Sequence, residues 1–420
     1  MDKLVIYGGQ RLKGTIKASR AKNATLPIMA AALLTTKPVR IRNVPKVQDV
    51  KTMAELLSSL GARVNFTGND VIIEAQNDLS LEAPYDIVRK MRASYYVLGP
   101  LLARFRKAKV YLPGGCAIGP RPVDLHIKGL EALGAHIKIR HGYIAAQAKL
   151  LKGQEILLEG KAGPSVGATA NVMMAATLAK GITKIIGAAL EPEIVDLANF
   201  LNSLGAKIKG HGTSTITVEG VKELHGGEWI PIPDRIEVGT YLCSAIATRG
   251  EITIEDCEPK HLDTVLLIFK QLGCELTVGS NTIKLKAPAR PKAISVVTAP
   301  YPGFPTDLQA QMMAVLATAS GVSYITENVF KARFLHALEL NRMGADIKIE
   351  DNVAIITGVE RLSGAKVMAS DLRASAALVI AGLCAEDKTE ISRIYHLDRG
   401  YEALEQKLTE LGARLERIKS

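Results

Sequence analysis

The sequence predicts an α/β protein assembled from six copies of one unit, and three regularities carry that expectation. First, the mark Leu/Met-Gly-Ala/Cys recurs at Leu60-Gly61, Leu133-Gly134, Leu204-Gly205, Leu272-Gly273, Met343-Gly344 and Leu411-Gly412, with glycine spacings of 73, 71, 68, 71 and 68. Second, residues before the mark are apolar at helical spacing, and residues after it alternate as strands do. Third, a run of small apolar residues opens once in every period. Six units of about 70 residues account for all 420, a length that fits two or three domains of roughly 100–200 residues.

Within a unit the elements follow in order. Before Gly205, the residues Ile194, Leu197, Ala198, Leu201 and Leu204 share one helical face. The glycine then supplies the left-handed conformation that ends a helix. Residues 206–209 alternate, and 215–219 alternate again beyond a Gly/Thr turn, which predicts a hairpin. Met53, Leu56, Leu57 and Leu60 repeat the face before Gly61, and Gly68-Asn69-Asp70 separates strand-like 63–66 from 71–74.

A second helix keeps the same register. Its runs begin near Lys22, Arg92, Ser165, Glu237, Asp307 and Arg373, in steps of 70, 73, 72, 70 and 66. Residues 374–385 are apolar nearly all round, as a buried helix is. Helix starts carry unpaired N–H groups and about half a positive charge, so they favour anions. Ser165 and Asp307 suit such an end as ordinary caps. Lys22, Arg92 and Arg373 oppose the dipole there, and a bound anion would account for them. If the buried helices lie side by side, their starts converge on one region.

Composition narrows the function classes. The chain is 47% apolar and carries a net charge of +11, which excludes disorder. Residues 24–34 and 374–385 fall short of the ~20 apolar residues a bilayer span needs, and the uncharged stretch 308–326 is broken by Gln309, Gln311, Thr318, Ser320 and Ser323. Gly8-Gly9 interrupts any apolar leader, so a soluble cytoplasmic protein is expected. Five widely spaced cysteines without a Cys-x-x-Cys pair argue against disulfides and zinc. Eight histidines show no His-Glu-x-x-His, so no protein-built metal site is expected. Aromatics are only 5% and basic residues are dispersed, which disfavours nucleic acid and leaves a small, highly anionic ligand.

The residues with chemical character lie in a few stretches. Residues 112–124, Leu-Pro-Gly-Gly-Cys-Ala-Ile-Gly-Pro-Arg-Pro-Val-Asp, form a loop with Cys116 five residues before Arg121. A lone cysteine is often a small buried hydrophobe, which suits Cys243, Cys274 and Cys384. In a glycine-rich loop beside a cation, Cys116 reads instead as an exposed thiol whose pKa falls below the usual ~8.5. Residues 19–23 and 85–92 concentrate cations at helix starts, and 394–401 delivers Arg399 into a glycine turn. Asp307, after the proline-rich 299–305, reads as a helix cap or as a general base near cations.

Nine motifs in order complete the picture: residues 21–24, 91–94, 113–116, 121–124, 165–169, 233–237, 304–311, 371–375 and 398–400. With Ala21-Lys22-Asn23-Ala24, Pro113-Gly114-Gly115-Cys116 and Asp398-Arg399-Gly400 among them, the chain resembles the UDP-N-acetylglucosamine enolpyruvyl transferase family from end to end. That family opens peptidoglycan precursor synthesis for the bacterial cell wall. The resemblance implies a two-domain inside-out α/β barrel of six βαβαββ repeats, with one domain at 22–229 and the other at 1–21 plus 230–420. It implies transfer of the enolpyruvyl group of phosphoenolpyruvate to the sugar 3′-hydroxyl, with release of phosphate and without metal or organic cofactor.

The resemblance also suggests roles. Cys116 is the acid near the methylene carbon and the residue that fosfomycin alkylates, and Asp307 is the base facing the hydroxyl. Lys22, Arg92, Arg121, Arg373 and Arg399 surround the carboxylate and phosphate, a task suited to forked guanidinium donors. Lys22 and Arg399 are counted with Cys116 and Asp307 as catalytic. Asn23, Ser165, Val166, Gly167 and Val329 match positions that hold the UDP-sugar, and Asp124 and Leu125 match its uridine end. The cations come from both domains, so the UDP-sugar is expected to draw the domains together with the Cys116 loop as lid.

Two departures stand out. Position 20 is Arg where the family pattern has Gly, and residues 160–164 do not follow the pattern, so Lys161 takes no role. Competing readings are an enolpyruvyl transferase for another uridine nucleotide and a non-catalytic binder of UDP-sugar or nucleic acid on the same scaffold. Cys116 disfavours the shikimate-pathway relative, which lacks the Cys loop.

Overall fold

Every glycine of the repeated mark ends a helix, and all six do so by one hydrogen-bond pattern. A computed structural model describes residues 2–112, 123–160 and 163–419. In it the helices Gln48–Ser59, Asp124–Ala132, Pro192–Ser203, Asp263–Gln271, Leu335–Arg342 and Leu404–Glu410 are each followed by a marked glycine. These glycines have φ of 97°, 99°, 98°, 98°, 87° and 91°, the left-handed region that a side chain resists. The N–H of Gly61 donates to Ser58 O at 2.9 Å, and the N–H of Ala62 reaches back to Leu57 O at 3.1 Å. Gly205 and Ala206 repeat this on Asn202 and Leu201, as do Gly412 and Ala413 on Thr409 and Leu408. This is the Schellman stop, in which the residue after the glycine folds onto the last helical turn. The Ala or Cys of the mark is therefore apolar because it packs there.

The hairpins lie where alternation predicts them. Arg63–Thr67 pairs antiparallel with Asp70–Glu74, with Phe66 opposite Val71, and Lys207–Lys209 pairs with Thr215–Glu219. A third and a fourth strand complete each sheet. The described residues hold six four-stranded sheets, each with one parallel edge pair and two antiparallel pairings, plus a two-stranded ribbon at 159–164. The order in one repeat is strand Glu155–Leu157, helix Val166–Thr177, strand Ile182–Ile186, helix Pro192–Ser203 and the hairpin, which is βαβαββ.

Three sheets borrow a strand from a distant part of the chain. Lys3–Tyr7 lies between Lys388–Ser392 and Arg414–Ile418, with Leu4 opposite both Ile391 and Arg417. Lys13–Lys17 runs parallel to Glu251–Glu255, and Gly227–Trp229 runs parallel to Val39–Ile41.

The apolar runs are the inner helices. Arg235–Ala247 and Leu372–Cys384 are buried over nearly their whole circumference, and so is Val166–Thr177 beyond its first turn. Small residues let the helices meet closely: a Cβ on Gly239 would stand 2.5 Å from Leu308 Cδ1. Two of the six runs open differently from expectation. Arg92–Val97 and Thr306–Leu308 are 3₁₀ turns that continue into the α-helices Leu98–Phe105 and Gln309–Leu316.

Two compact units result, one of residues 2–19 and 233–419 and one of 20–112 and 123–232. Each buries its own hydrophobic core, which collects Leu4, Leu242, Leu316 and Leu378 in the first and Met29, Leu101, Val172 and Leu201 in the second. Among the described residues no helix is long and apolar enough to cross a membrane, and no group of three or more His, Cys, Asp or Glu is gathered as for a metal.

Candidate active site

In the unit of residues 2–19 and 233–419, the first turns of the inner helices carry a tight ionic cluster. The Asp307 carboxylate sits between two guanidinium groups, Arg333 Nη1 at 2.8 Å from Oδ1 and Arg373 Nη2 at 2.8 Å from Oδ2. Both arginine side chains are 5% exposed, while that of Asp307 keeps 28%. Burial alone would raise the Asp307 pKa, but Arg373 and Arg333 outweigh it and hold the carboxyl well below the usual range. Asp307 is therefore no helix cap, since neither the 3₁₀ turn nor the helix after it has a side-chain cap.

Each guanidinium is itself anchored. Arg333 Nη1 also donates to Thr306 Oγ1 at 3.1 Å, and Thr306 Oγ1 donates to Glu327 Oε2 at 2.8 Å. Glu327 is fully buried and accepts from Thr298 Oγ1 and from the N–H groups of Val329 and Phe330. That carboxylate shapes the loop holding Val329. Arg373 Nη1 donates to Tyr401 Oη at 3.1 Å, and the Tyr401 hydroxyl lies 2.9 Å from Thr240 Oγ1 and 3.2 Å from Gln311 Nε2.

Arg399 ends the 3₁₀ turn Ile394–Arg399, and its charge acts on His396. A Cβ on Gly400 would stand 2.6 Å from Leu372 Cδ2, so glycine lets the 399–401 turn lie on the start of the Arg373 helix without moving that side chain. Asp371 caps that helix, its Oδ1 accepting from the N–H groups of Arg373 and Ala374 at 2.9 and 3.1 Å. His336 is buried nearby; burial pulls its pKa down to about 4, with Asp371 acting against that and Arg333 adding to it.

The unit of 20–112 and 123–232 gathers the other described residues. Lys22 opens the helix Lys22–Ala31 with Asn23 beside it, and Lys22 Nζ lies 3.0 Å from Asp49 Oδ2 in a buried pair. His126 links the rest. Asn171 Nδ2 stands 2.9 Å from His126 Nδ1 and also donates to Tyr95 O, at the foot of the Arg92 turn. Burial, and then the charge of Arg92, pull the His126 pKa down to about 4. A Cβ on Gly167 would come 3.0 Å from His126 Nε2, and one on Gly160 would come 3.1 Å from Leu125 Cδ1. Ser165 caps its helix, its Oγ accepting from the Ala168 N–H at 3.3 Å, with Val166 as the first helical residue. Asp124 is an exposed first-turn residue of Asp124–Ala132.

Two of the cations at helix starts have carboxylate partners within the chain, Lys22 in Asp49 and Arg373 in Asp307. Asp371 supplies the missing cap at the Arg373 helix. Arg20, where glycine was expected, is not among the residues with positive φ, so its backbone does not require glycine. Cys116, Arg121 and Lys161 lie outside the described residues. The other cysteines read as hydrophobes: burial pushes the thiols of Cys274 and Cys384 up to about 12. Cys257 is likewise pushed up to about 11.

Arg333, Tyr401, Glu327, Asp49 and His126 were not singled out from the sequence. Arg333 stood in plain view as a cation four residues after Val329, yet nothing in the spacing marks it as buried.

Comparison with known proteins bears on what such an arrangement does. A family model described as EPSP synthase (3-phosphoshikimate 1-carboxyvinyltransferase) matches residues 6–408. The chain is 55% identical over 420 residues to a UDP-N-acetylglucosamine 1-carboxyvinyltransferase 2 of Carboxydothermus hydrogenoformans, with all of both chains covered. It is 52% identical over 419 residues to a UDP-N-acetylglucosamine 1-carboxyvinyltransferase of Geobacter metallireducens, again with all of both covered. Among solved structures it is similar to the enolpyruvyl transferase NikO from Streptomyces tendae, at TM-score 0.90 and 26% identity over 100% of this chain and 99% of that one. The fold is also that of EPSP synthase from Acinetobacter baumannii, at TM-score 0.74 and 18% identity with both chains fully covered.

Proposed function

The chain belongs to the enolpyruvyl transferase family, and from that premise we propose that it carries the enolpyruvyl group of phosphoenolpyruvate to the 3′-hydroxyl of UDP-N-acetylglucosamine, with release of phosphate. The observation that carries this reading is the full-length identity of 52–55% to two curated UDP-N-acetylglucosamine 1-carboxyvinyltransferases. The reaction would serve peptidoglycan synthesis in the cytoplasm.

The chemistry is addition followed by elimination. The hydroxyl oxygen bonds to the central alkene carbon while the methylene carbon takes a proton, and the tetrahedral adduct then loses that proton and expels phosphate. An acid, a base and a set of cations are needed. In this reading Cys116 supplies the proton to the methylene carbon and Asp307 receives the hydroxyl proton. Lys22, Arg92, Arg121, Arg373 and Arg399 serve the phosphate and carboxylate. Asn23, Ser165, Val166, Gly167 and Val329 hold the UDP-sugar, and Asp124 and Leu125 serve its uridine end. The contact of Asp307 with Arg373 supports pairing a base with an anion-binding residue.

The test is a coupled phosphate-release assay with both substrates, repeated with other uridine nucleotides, after fosfomycin, and with Cys116→Ser. Turnover specific to UDP-N-acetylglucosamine and lost on alkylation or substitution is expected. Survival of both turnover and fosfomycin sensitivity in Cys116→Ser overturns the acid assignment, and faster turnover of another nucleotide overturns the substrate. Closure of the two units on UDP-sugar is read by small-angle scattering, where an unchanged radius rejects it.

A further inference from the structure

A carboxylate held by two forked guanidinium groups is a poor place for a proton to go. Asp307 is in that state: Arg333 occupies Oδ1 and Arg373 occupies Oδ2, each at 2.8 Å. A base is effective when its proton affinity lies near the operating pH, and two charge-assisted bonds work against that. The two arginines differ in how they are tethered. The Nη1 of Arg333 that binds Asp307 also binds Thr306, which Glu327 holds in turn. Arg373 contacts Asp307 through Nη2, while its tether to Tyr401 uses the separate Nη1. Arg373 can therefore release the carboxylate without losing its anchor.

We propose that Asp307 is a gated base: an anionic group of phosphoenolpyruvate draws Arg373 Nη2 away from Asp307 Oδ2, and Arg333 keeps the freed carboxylate aimed. This rests on the reading that Asp307 faces the sugar hydroxyl. As the hydroxyl oxygen bonds to the alkene carbon, its O–H bond breaks and the proton passes to Asp307 Oδ2. The alkene electron pair takes the proton of Cys116. When phosphate leaves, the methyl group returns a proton to the thiolate and the double bond re-forms, and Asp307 gives its proton to water. The gate makes the base competent only when the electrophile is present.

The surroundings fit this exchange. Besides Asp307, the groups that act on Arg373 include Tyr401 and Asp234, and Arg333 and Asp371 act on His336. The two arginines hold the Asp307 carboxyl well below its ordinary range. Sharing Arg373 with a second anion lifts it toward that range. Ligand binding must then be linked to proton uptake at Asp307.

The experiment is calorimetric titration of phosphoenolpyruvate into the enzyme with UDP-N-acetylglucosamine withheld, in buffers of different ionisation enthalpy, for wild type and Asp307→Asn. Titration of the ligand phosphate is common to both proteins and cancels. Wild type is expected to take up a larger fraction of a proton than Asp307→Asn at about pH 5, with the difference gone by about pH 8. Asp307→Asn is expected to lose turnover by roughly a hundredfold or more. Arg333→Lys, which loosens the hold that remains once Arg373 is drawn away, should raise the proton affinity of Asp307 in the bound enzyme and so enlarge the uptake at that pH. If Asp307→Asn loses turnover but both proteins take up equal protons, the gate is wrong and the assignment of Asp307 stands. If Asp307→Asn turns over like wild type, the assignment fails and the gate with it.

Discussion

The two units solve the same electrostatic problem by different means. Each starts an inner helix with a cation that opposes the helix dipole, and each neutralises it with a carboxylate. Lys22 takes Asp49, which lies 27 residues away on the next helix of the same repeat. Arg373 takes Asp307, which lies 66 residues away at the corresponding point of the preceding repeat, and Asp307 takes Arg333 as well. The first pair is internal to one repeat. The second couples neighbouring repeats, so its loss propagates further.

The largest test of that contrast is to remove each carboxylate. Asp307→Ala leaves two buried guanidinium groups facing each other, and arginine cannot shed its proton. A loss of about 4 kcal/mol in that unit is expected. Asp49→Ala leaves one ammonium, which can deprotonate, and about 2 kcal/mol is expected. Denaturant unfolding, with hydrogen exchange of the inner helices of each unit, measures both. Equal losses would mean that coupling between repeats adds nothing.

A second test concerns pH. Burial lifts the Asp196 pKa to about 6, against the hydrogen bonds from Ile232 N and Trp229 Nε1 and the charge of Arg20. The folded state thus holds this proton more tightly than the unfolded one. Its stabilising contribution is complete below about pH 4 and is lost as pH rises through about 6. His126 works the other way: its pKa is pulled down to about 4, so its contribution is present above its usual 6.5 and is lost as pH falls through about 4. Asp196→Asn removes one of the two opposing slopes. Stability of the unit of 20–112 and 123–232 should then rise more steeply between about pH 4 and 6.5, by up to roughly 3 kcal/mol over the window. A slope like that of wild type would show that Asp196 ionises normally.

The smallest effects belong to the helix stops. Gly412→Ala meets nothing within 4 Å and bears only the left-handed backbone, about 1 kcal/mol. Gly205→Ala adds a Cβ at 2.9 Å from His225 Cδ2, so about 2 kcal/mol is expected. Thermal unfolding of the two variants ranks them, and the reverse order would show that the stop in the 2–19 and 233–419 unit is the more constrained.

The same contrast explains what the sequence made legible. The six marks could be read because a Schellman stop uses residues adjacent in the chain: Leu57, Ser58, Gly61 and Ala62 suffice to define it. The inner helices could be read because their burial shows in composition. The cations at Lys22 and Arg373 stood out as misfits at helix starts, and Asp307 stood out as a carboxylate after a proline-rich stretch. Their partners did not stand out. Asp49 reaches Lys22, and Arg333 and Tyr401 reach the Asp307 and Arg373 cluster, only through tertiary packing, and no local pattern says that a charge 26 or 66 residues off will arrive at 2.8 Å. The 3₁₀ openings at Arg92 and Thr306 escaped for a similar reason, since helical spacing does not separate three residues per turn from 3.6 over one turn.

The strand Lys3–Tyr7 is flanked on both sides by segments that lie beyond residue 387. It is made well before either neighbour and waits for both. The unit of 20–112 and 123–232 can complete its own core while translation continues, whereas the other waits for residues 388–418. Synthesis order therefore lets the Lys22 half finish its core before the Asp307 half has closed the sheet that Lys3–Tyr7 enters.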